Sequence, residues 1–297
     1  TQTFIAKMVS AAQILGLIEF YTMVGNAENR RKAATASGGQ TRALNTPYPD
    51  NQVNPVFASP ALKIFGGKVQ VDVAHERRGL DVASVRAMEL MNFAKNFGKN
   101  LNNKIFNGGL EDPVDVNSFD GIKKIVPTGQ TLKPATNGFL FALGNSDTNK
   151  KLQQELLEHV DNLIRMVDGG AQVLAMSGKT LSRLTRIAEG MISTKLDEFG
   201  KPIAYYNGIP IIDAGYTPAG VPVIPHTEQC GNASTCTSMY AFRFEEGAEL
   251  SFASNRGIQI IDKGQVGVHW EHQIELDITP VLLNDKAVAR LEGIKLE

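Results

Sequence analysis

Apolar side chains recur at Val82, Val85, Met88, Leu90, Met91, Phe97, Leu101 and Ile105, mostly three or four residues apart. That spacing lays them along one broad stripe of a helix over residues 81–106. Asp81 is placed to cap the first free amides, and Asn107-Gly108-Gly109 stops the helix, because glycine accepts the left-handed conformation. At about 1.5 Å per residue the helix is roughly 39 Å long. Lys95, Lys99, Asn100 and Lys104 fall off the stripe. One side therefore faces water and the other needs a sheet to cover it. Gly98 is the position where such a helix would break.

On either side of this spine the pattern changes. Met8, Ala12, Leu15 and Ile18 suit a short amphipathic helix. The uncharged run 8–18 also resembles the apolar part of a signal peptide, but it is too short to span a bilayer and Glu19 closes it. Residues 25–51 show no apolar period and read as an extended arm without its own core. Long structureless stretches are uncommon in compact domains, so the arm is expected to lie on something else, such as a neighbouring subunit. Val69, Val71 and Val73 alternate with Gln70 and Asp72. With Val53, Val56 and Phe57 before them, and Pro60 and Gly66-Gly67 as punctuation, they predict a two-stranded ribbon. Such a ribbon is marginal alone in water.

Downstream, residues 110–148 read mostly as loop. Leu152, Leu156, Leu157, Val160, Leu163, Ile164 and Val167 predict a helix ended by Gly169-Gly170. A buried strand at 171–176 and a second helix at 179–189 follow. Asn207-Gly208 joins two apolar runs, 203–206 and 209–213, as a hairpin. Further strands are expected at 221–224, 238–244, 248–253, 258–262, 266–278 and 287–294. A ribbon, a long helix, two packed helices and then many strands make an α+β chain with two subdomains.

Composition narrows the function. The 297 residues carry 30 Lys plus Arg against 31 Asp plus Glu, a formal charge of −1, so no global field attracts nucleic acid and self-association is not opposed. Any contact with DNA is left to a local patch. Two cysteines exclude a small disulfide framework. Motifs for chemistry mostly fail. Ser177-Gly178-Lys179-Thr180 resembles the end of a phosphate loop, but Val173 stands where the pattern needs glycine, so it reads as a helix start. Gly38-Gly39-Gln40 is a flexible turn. His269 and Glu271 share a strand face while His272 points away, so three convergent metal ligands do not follow. Cys230 and Cys236 bracket a loop-like pentapeptide and are a possible disulfide or a pair of reduced thiols. No catalytic constellation, cofactor site or metal site emerges, and a chain of this size without one leans towards a structural role.

Several stretches in order carry a family resemblance: Phe119-Asp120-Gly121-Ile122; residues 160–184 with Met176, Ser177 and Thr180; residues 197–216; and the ending 287–294. Over roughly residues 52–297 the chain resembles the tailed-phage major capsid proteins of the Hong Kong 97-type fold. The resemblance implies an N-terminal helix and arm (1–51), an extended β loop (52–79), a peripheral domain with the spine helix (80–134), an axial domain (135–262) and peripheral return strands (263–297). It implies a non-catalytic subunit that self-assembles as pentamers and hexamers into an icosahedral shell around double-stranded DNA. The location implied is the virion, with assembly in the host bacterial cytoplasm. Portal, scaffold or maturation protease, and decoration protein are the implied partners; a membrane and cofactors are not. Lys63, Lys68, Arg77 and Arg78 are then candidates for contacts between subunits. Arg30, Arg31, Lys32 and Arg42 are candidates for contact with DNA or neighbours. Some members crosslink a loop lysine to an asparagine, but residues 266–278 contain none, so crosslinking is not carried over. Thr1 is compatible with either proteolytic removal of a scaffolding segment or loss of an initiator methionine. Two other readings stay open: an encapsulin-type compartment of the same fold, and an enzyme with a cleft between two subdomains.

Overall fold

A computed structural model describes residues 2–32, 41–48, 56–79, 81–110, 115–188, 190–196 and 202–296. The side chains of Glu76 and Arg77 lie outside the description, as do Gly38-Gly39-Gln40 and residues 197–200. In chain order the first elements are α1 (Gln2–Ala11), β1 (Phe20–Thr22), β2 (Arg30–Arg31), β3 (Phe57–Ala58), β4 (Lys63–Asp72), α2 (Ala74–Arg77) and α3 (Val82–Asn107). Then come α4 (Ile122–Ile125), β5 (Thr131–Leu132), β6 (Phe139–Phe141), α5 (Asp147–Met166), β7 (Val173–Met176) and α6 (Gly178–Ile187). The remaining strands are β8 (Ile192–Leu196), β9 (Pro202–Tyr206), β10 (Ile209–Asp213), β11 (Glu228–Cys230), β12 (Ala233–Phe242), β13 (Leu250–Ser254), β14 (Gln259–Val266), β15 (His269–Leu282) and β16 (Val288–Leu296).

Two sheets carry the molecule. The larger runs β5-β16-β12-β7-β10-β9-β8, with β11 on β12 and β6 on β16. The smaller runs β1-β13-β15-β14, with β4 on the free side of β15. Alternation sorts the larger sheet into two faces. Val173, Ala175, Tyr240 and Phe242 face one core with α1 and α3. Leu174, Met176, Met239 and Ala241 face the other with α5 and α6. A strand covered on both sides carries an unbroken apolar run, which is why residues 173–176 show no polar alternation.

Helix α3 is the spine that the sequence predicts. The Asp81 carboxylate accepts from the Ala83 amide at 3.1 Å, and Gly108 caps the other end. Its upstream half packs Leu90 and Phe93 near Phe65, Val69 and Ile274 of the smaller sheet. Its downstream half puts Phe106 against Tyr240 and Phe242 of the larger one, with ring centroids 5.7 and 6.2 Å away. The helix does not break at Gly98. A Cβ there would stand 2.5 Å from the Met8 carbonyl oxygen, so glycine lets α1 lie directly on the spine.

The structure redraws four expectations. Of the expected first ribbon strand, Val53 lies outside the described residues, and Val56 and Phe57 do not pair with β4: it pairs with β15, from Asp72 opposite His269 to Lys63 opposite Ile278. Gly66-Gly67 is not a turn but the middle of that strand, where side chains would meet the Ile274 carbonyl and the Phe93 ring. The extended ribbon is instead residues 26–32 against 56–62: Ala27 faces Ala61, Arg30 faces Ala58 and Arg31 faces Phe57. Residues expected as arm thus form one side of the loop. The apolar positions expected of a first amphipathic helix, Met8, Ala12, Leu15 and Ile18, sit in the main core with Phe4 and Ile14, although the α-helix itself ends at Ala11, and β1 joins β13. Strand β16, expected beside the spine, lies in the larger sheet, while β13 and β14, expected in the axial part, belong to the smaller one. Residues 221–224 form no strand, and only Pro222 makes a bridge, to Tyr216.

Candidate interaction surface

The ribbon is the least satisfied part of the described chain. Its ladder is short, with Glu28, Lys32 and Leu62 amides donating to the carbonyls of Pro60, Val56 and Asn26. Large apolar side chains nevertheless stand in water on it and near it in sequence: Val56 and Phe57 (57% exposed) on the ribbon, Val24 (90%) just before it, and Leu44 (89%) and Tyr48 in the separate described segment 41–48. Two contacts tie its base down. Lys32 Nζ reaches Asp285 at 2.7 Å, and the Arg30 guanidinium sits 3.9 Å above the Tyr21 ring while bonding Glu28 at 2.6 Å. Exposed apolar side chains clustered on a projecting element mark a surface that a partner covers.

The candidate cations separate accordingly. Arg30 and Lys32 are engaged within the chain; Arg31 and Arg42 are exposed, with Arg42 stacked 5.2 Å from the Tyr48 ring. Lys63 is half-buried on β4, and Lys68 is exposed with its ammonium 3.7 Å from Glu271. Arg78 is exposed after α2, while the Arg77 side chain lies outside the description. The open edges of β4 and β14 flank β15, and Ile64, Ile261, Val266 and Val268 are exposed along them. Unpaired strand edges with apolar side chains invite another chain.

The interior holds one charged cluster that the sequence did not reveal. Glu228 Oε1 accepts from Lys123 Nζ at 2.7 Å, and Oε2 accepts from Arg290 Nη2 at 3.0 Å and from the Ser238 hydroxyl. Arg290 also meets Glu292 at 3.0 Å, and Lys133 closes the chain on Glu292 at 2.5 Å. Burial alone would raise the Glu228 pKa, but Arg290 and Lys123 outweigh it and hold the carboxyl below its ordinary value of 4.5. The cluster ties α4 to β11, β12 and β16 and reads as structural. No local spacing could reveal its centre, because Glu228 is 105 residues from Lys123 and 62 from Arg290.

Sites for chemistry do not assemble. Cys230 and Cys236 are free, buried thiols on the β11–β12 hairpin, not a disulfide at an exposed tip. Glu271 is bonded by Gln70 at 2.7 Å on one side of β15, while His272 lies 3.3 Å from Asp262 on the other. Among the described residues no three His, Cys, Asp or Glu side chains gather as for a metal. Ser177 is a helix cap, its hydroxyl accepting from the Thr180 amide at 3.3 Å. A depression of about 640 Å³ beside Gln130, Arg165, Asp168 and Lys286 is lined by no hydroxyl, thiol or imidazole side chain. Among the described residues no helix is long and apolar enough to cross a membrane.

No protein-family model matches the chain, and no curated protein matches its sequence. Its structure does have relatives. The holo-SrpI encapsulin complex from Synechococcus elongatus matches with a TM-score of 0.65 at 12% identity, over 95% of this chain and 87% of that one. The capsid of a native GTA particle matches at 0.63 and 11%, over 96% and 90%. The satellite phage P4 procapsid matches at 0.55 and 12%, over 99% of both chains. This chain therefore has the fold of these capsid and encapsulin subunits, the Hong Kong 97-type fold that the sequence resemblance implies.

Proposed function

We propose that this protein is the shell-forming subunit of a tailed-phage head, assembling as pentamers and hexamers around double-stranded DNA. One observation carries the reading: a fold shared over nearly its whole length with capsid subunits leaves Val56 and Phe57 of the ribbon exposed among the described residues. In this reading the ribbon is the extended loop laid on an adjacent subunit. The smaller sheet with α1 and α3 is the peripheral domain, and the larger sheet with α5 and α6 is the axial domain. Many weak contacts closed by symmetry then hold the shell, and the subunit has no catalytic step. Portal, scaffold or protease, and decoration protein are the partners of such a head, and the virion is its location. The match to an encapsulin supports a second reading, a compartment around a cargo protein.

Light scattering and negative-stain microscopy of the purified particle test both. Megadalton hollow shells are expected, and DNA inside them separates a phage head from a cargo compartment. A subunit that stays small even with its scaffold present overturns the shell reading.

A further inference from the structure

The spine helix has an unusual polar side. Between Leu90 and Leu110 the chain carries three lysines, six asparagines and no carboxylate, although at its average frequency about two would fall there. Asn92, Lys95, Asn96, Lys99 and Asn103 are three or four residues apart, so they share one side of α3. Asn92, Lys95, Asn96 and Asn100 are exposed, and Lys99 is half-buried. Helix α1 packs against the spine. It lies on the spine through Met8 at Gly98 and Phe4 at Phe97, where the rings are 6.0 Å apart. Its one charge is Lys7, which is exposed, and the first carboxylate of the chain is Glu19. Lys104 is set apart by its bond to Asp115 at 2.9 Å; Lys7, Lys95 and Lys99 form no ion pair among the described residues.

The bias is local. On α5, a helix of comparable exposure, Asp147, Glu155, Glu158 and Asp161 are interspersed with Lys150, Lys151 and Arg165. A face that only has to stay solvated mixes signs in that way. On this side of α3 the one exposed carboxylate is Glu89, a turn before Asn92; from Asn92 to Asn103 there is none, and the chemistry there is selective. Lysine is a compact point charge suited to phosphate, and asparagine amides bond phosphate and sugar oxygens. Protein interfaces, by contrast, favour aromatic side chains, methionine and arginine and are poor in lysine. Lys95 and Lys99 stand about 6 Å apart along the helix, while duplex DNA offers a phosphate for about every 1.7 Å of its axis.

We propose that the side of α3 from Asn92 to Asn103, with Lys7 of α1, is the surface on which this subunit meets the phosphate backbone of packaged nucleic acid, without reading its sequence. The inference rests on the shell reading for its setting and assigns the contact to Lys7, Lys95 and Lys99, not to the basic residues of the ribbon.

Fluorescence anisotropy of a labelled DNA duplex with purified subunit, repeated over a series of salt concentrations, tests it. The triple variant Lys7→Gln, Lys95→Gln, Lys99→Gln is expected to lose at least tenfold in affinity at low salt. Its slope of log affinity against log salt should fall by about 2.7. The control Lys150→Gln, Lys151→Gln on α5 should bind like the parent. Unchanged binding by the triple variant overturns the proposal, as does an equal loss in the control. Displacement of the DNA by polyglutamate at equal charge overturns the choice of nucleic acid over an acidic protein. Particle formation is scored separately by microscopy. Shells with unaltered DNA binding sink this inference and leave the shell reading intact, whereas absence of shells from the parent sinks the shell reading whatever the anisotropy shows.

Discussion

At Glu228, donors from α4, β12 and β16 close around one buried carboxylate; at Phe57, an aromatic ring on a two-residue strand stands in water. The first region is complete within one chain. The second leaves apolar surface that no other described residue covers. The difference separates what the subunit needs in order to fold from what it offers to others, and each side can be broken on its own.

The largest effect is expected at the buried cluster. Glu228→Gln leaves Arg290 and Lys123 facing a neutral group in a dry site, and truncating one partner of a buried pair costs about 3–5 kcal/mol. Urea melts of the isolated subunit check it, and a loss below 1 kcal/mol would show the cluster to be wet. Its pH dependence has a defined sign. The folded carboxyl titrates below its ordinary value of 4.5, so its contribution is complete above about pH 4.5 and drains away as pH falls through the lower folded value. As pH falls below about 4.5, the parent should lose stability faster than Glu228→Gln.

Gly98→Ala comes next and pits two effects against each other. Helix propensity favours alanine by about 0.5–1 kcal/mol. The new Cβ would stand 2.5 Å from the Met8 carbonyl oxygen, and overpacking costs about 1–3 kcal/mol. A net loss of about 1 kcal/mol is expected, with the N-terminal helix becoming easier to proteolyse; a gain would mean that α1 is not seated on the spine.

On the ribbon the signs reverse. Phe57→Ser should change subunit stability by less than about 0.5 kcal/mol, since an exposed ring has little to lose. Particle yield should nevertheless fall steeply, and normal shells from this variant would remove the ribbon from the interface. Reversing Lys68 sets a carboxylate beside the buried Glu271 in place of an exposed ammonium 3.7 Å away, and about 1 kcal/mol of subunit stability should go with it. The smallest effect concerns the thiols. Burial pushes the Cys236 thiol up, with Cys230 beside it adding to the shift. Thiol titration should find both sulfurs slow in the native subunit and two equivalents after unfolding; one equivalent or none would indicate a disulfide.

Regular segments were legible in the chain because their signals are local. The spine with its Asp81 cap, α5 ended by Gly169-Gly170, the start of α6 at Ser177 and the Asn207-Gly208 hairpin each follow from neighbours within about four residues. Strand pairing was not legible. Alternation at 69–73 names the buried face of β4 but cannot name β15, some 200 residues away, as its partner. Gly66-Gly67 carries a turn signal, and only the approach of Phe93 shows why glycine stands inside a strand.

By itself, then, the sequence determined the helices, their caps, one hairpin and a family likeness, because hydrogen bonds within a helix and the geometry of a tight turn involve residues close along the chain. Tertiary structure alone decided that residues 26–32 pair with 56–62, that β16 crosses to the larger sheet and that Glu228 meets Arg290 and Lys123. Those facts depend on which distant surfaces exclude water together, a property of the packed whole that no local window of residues contains.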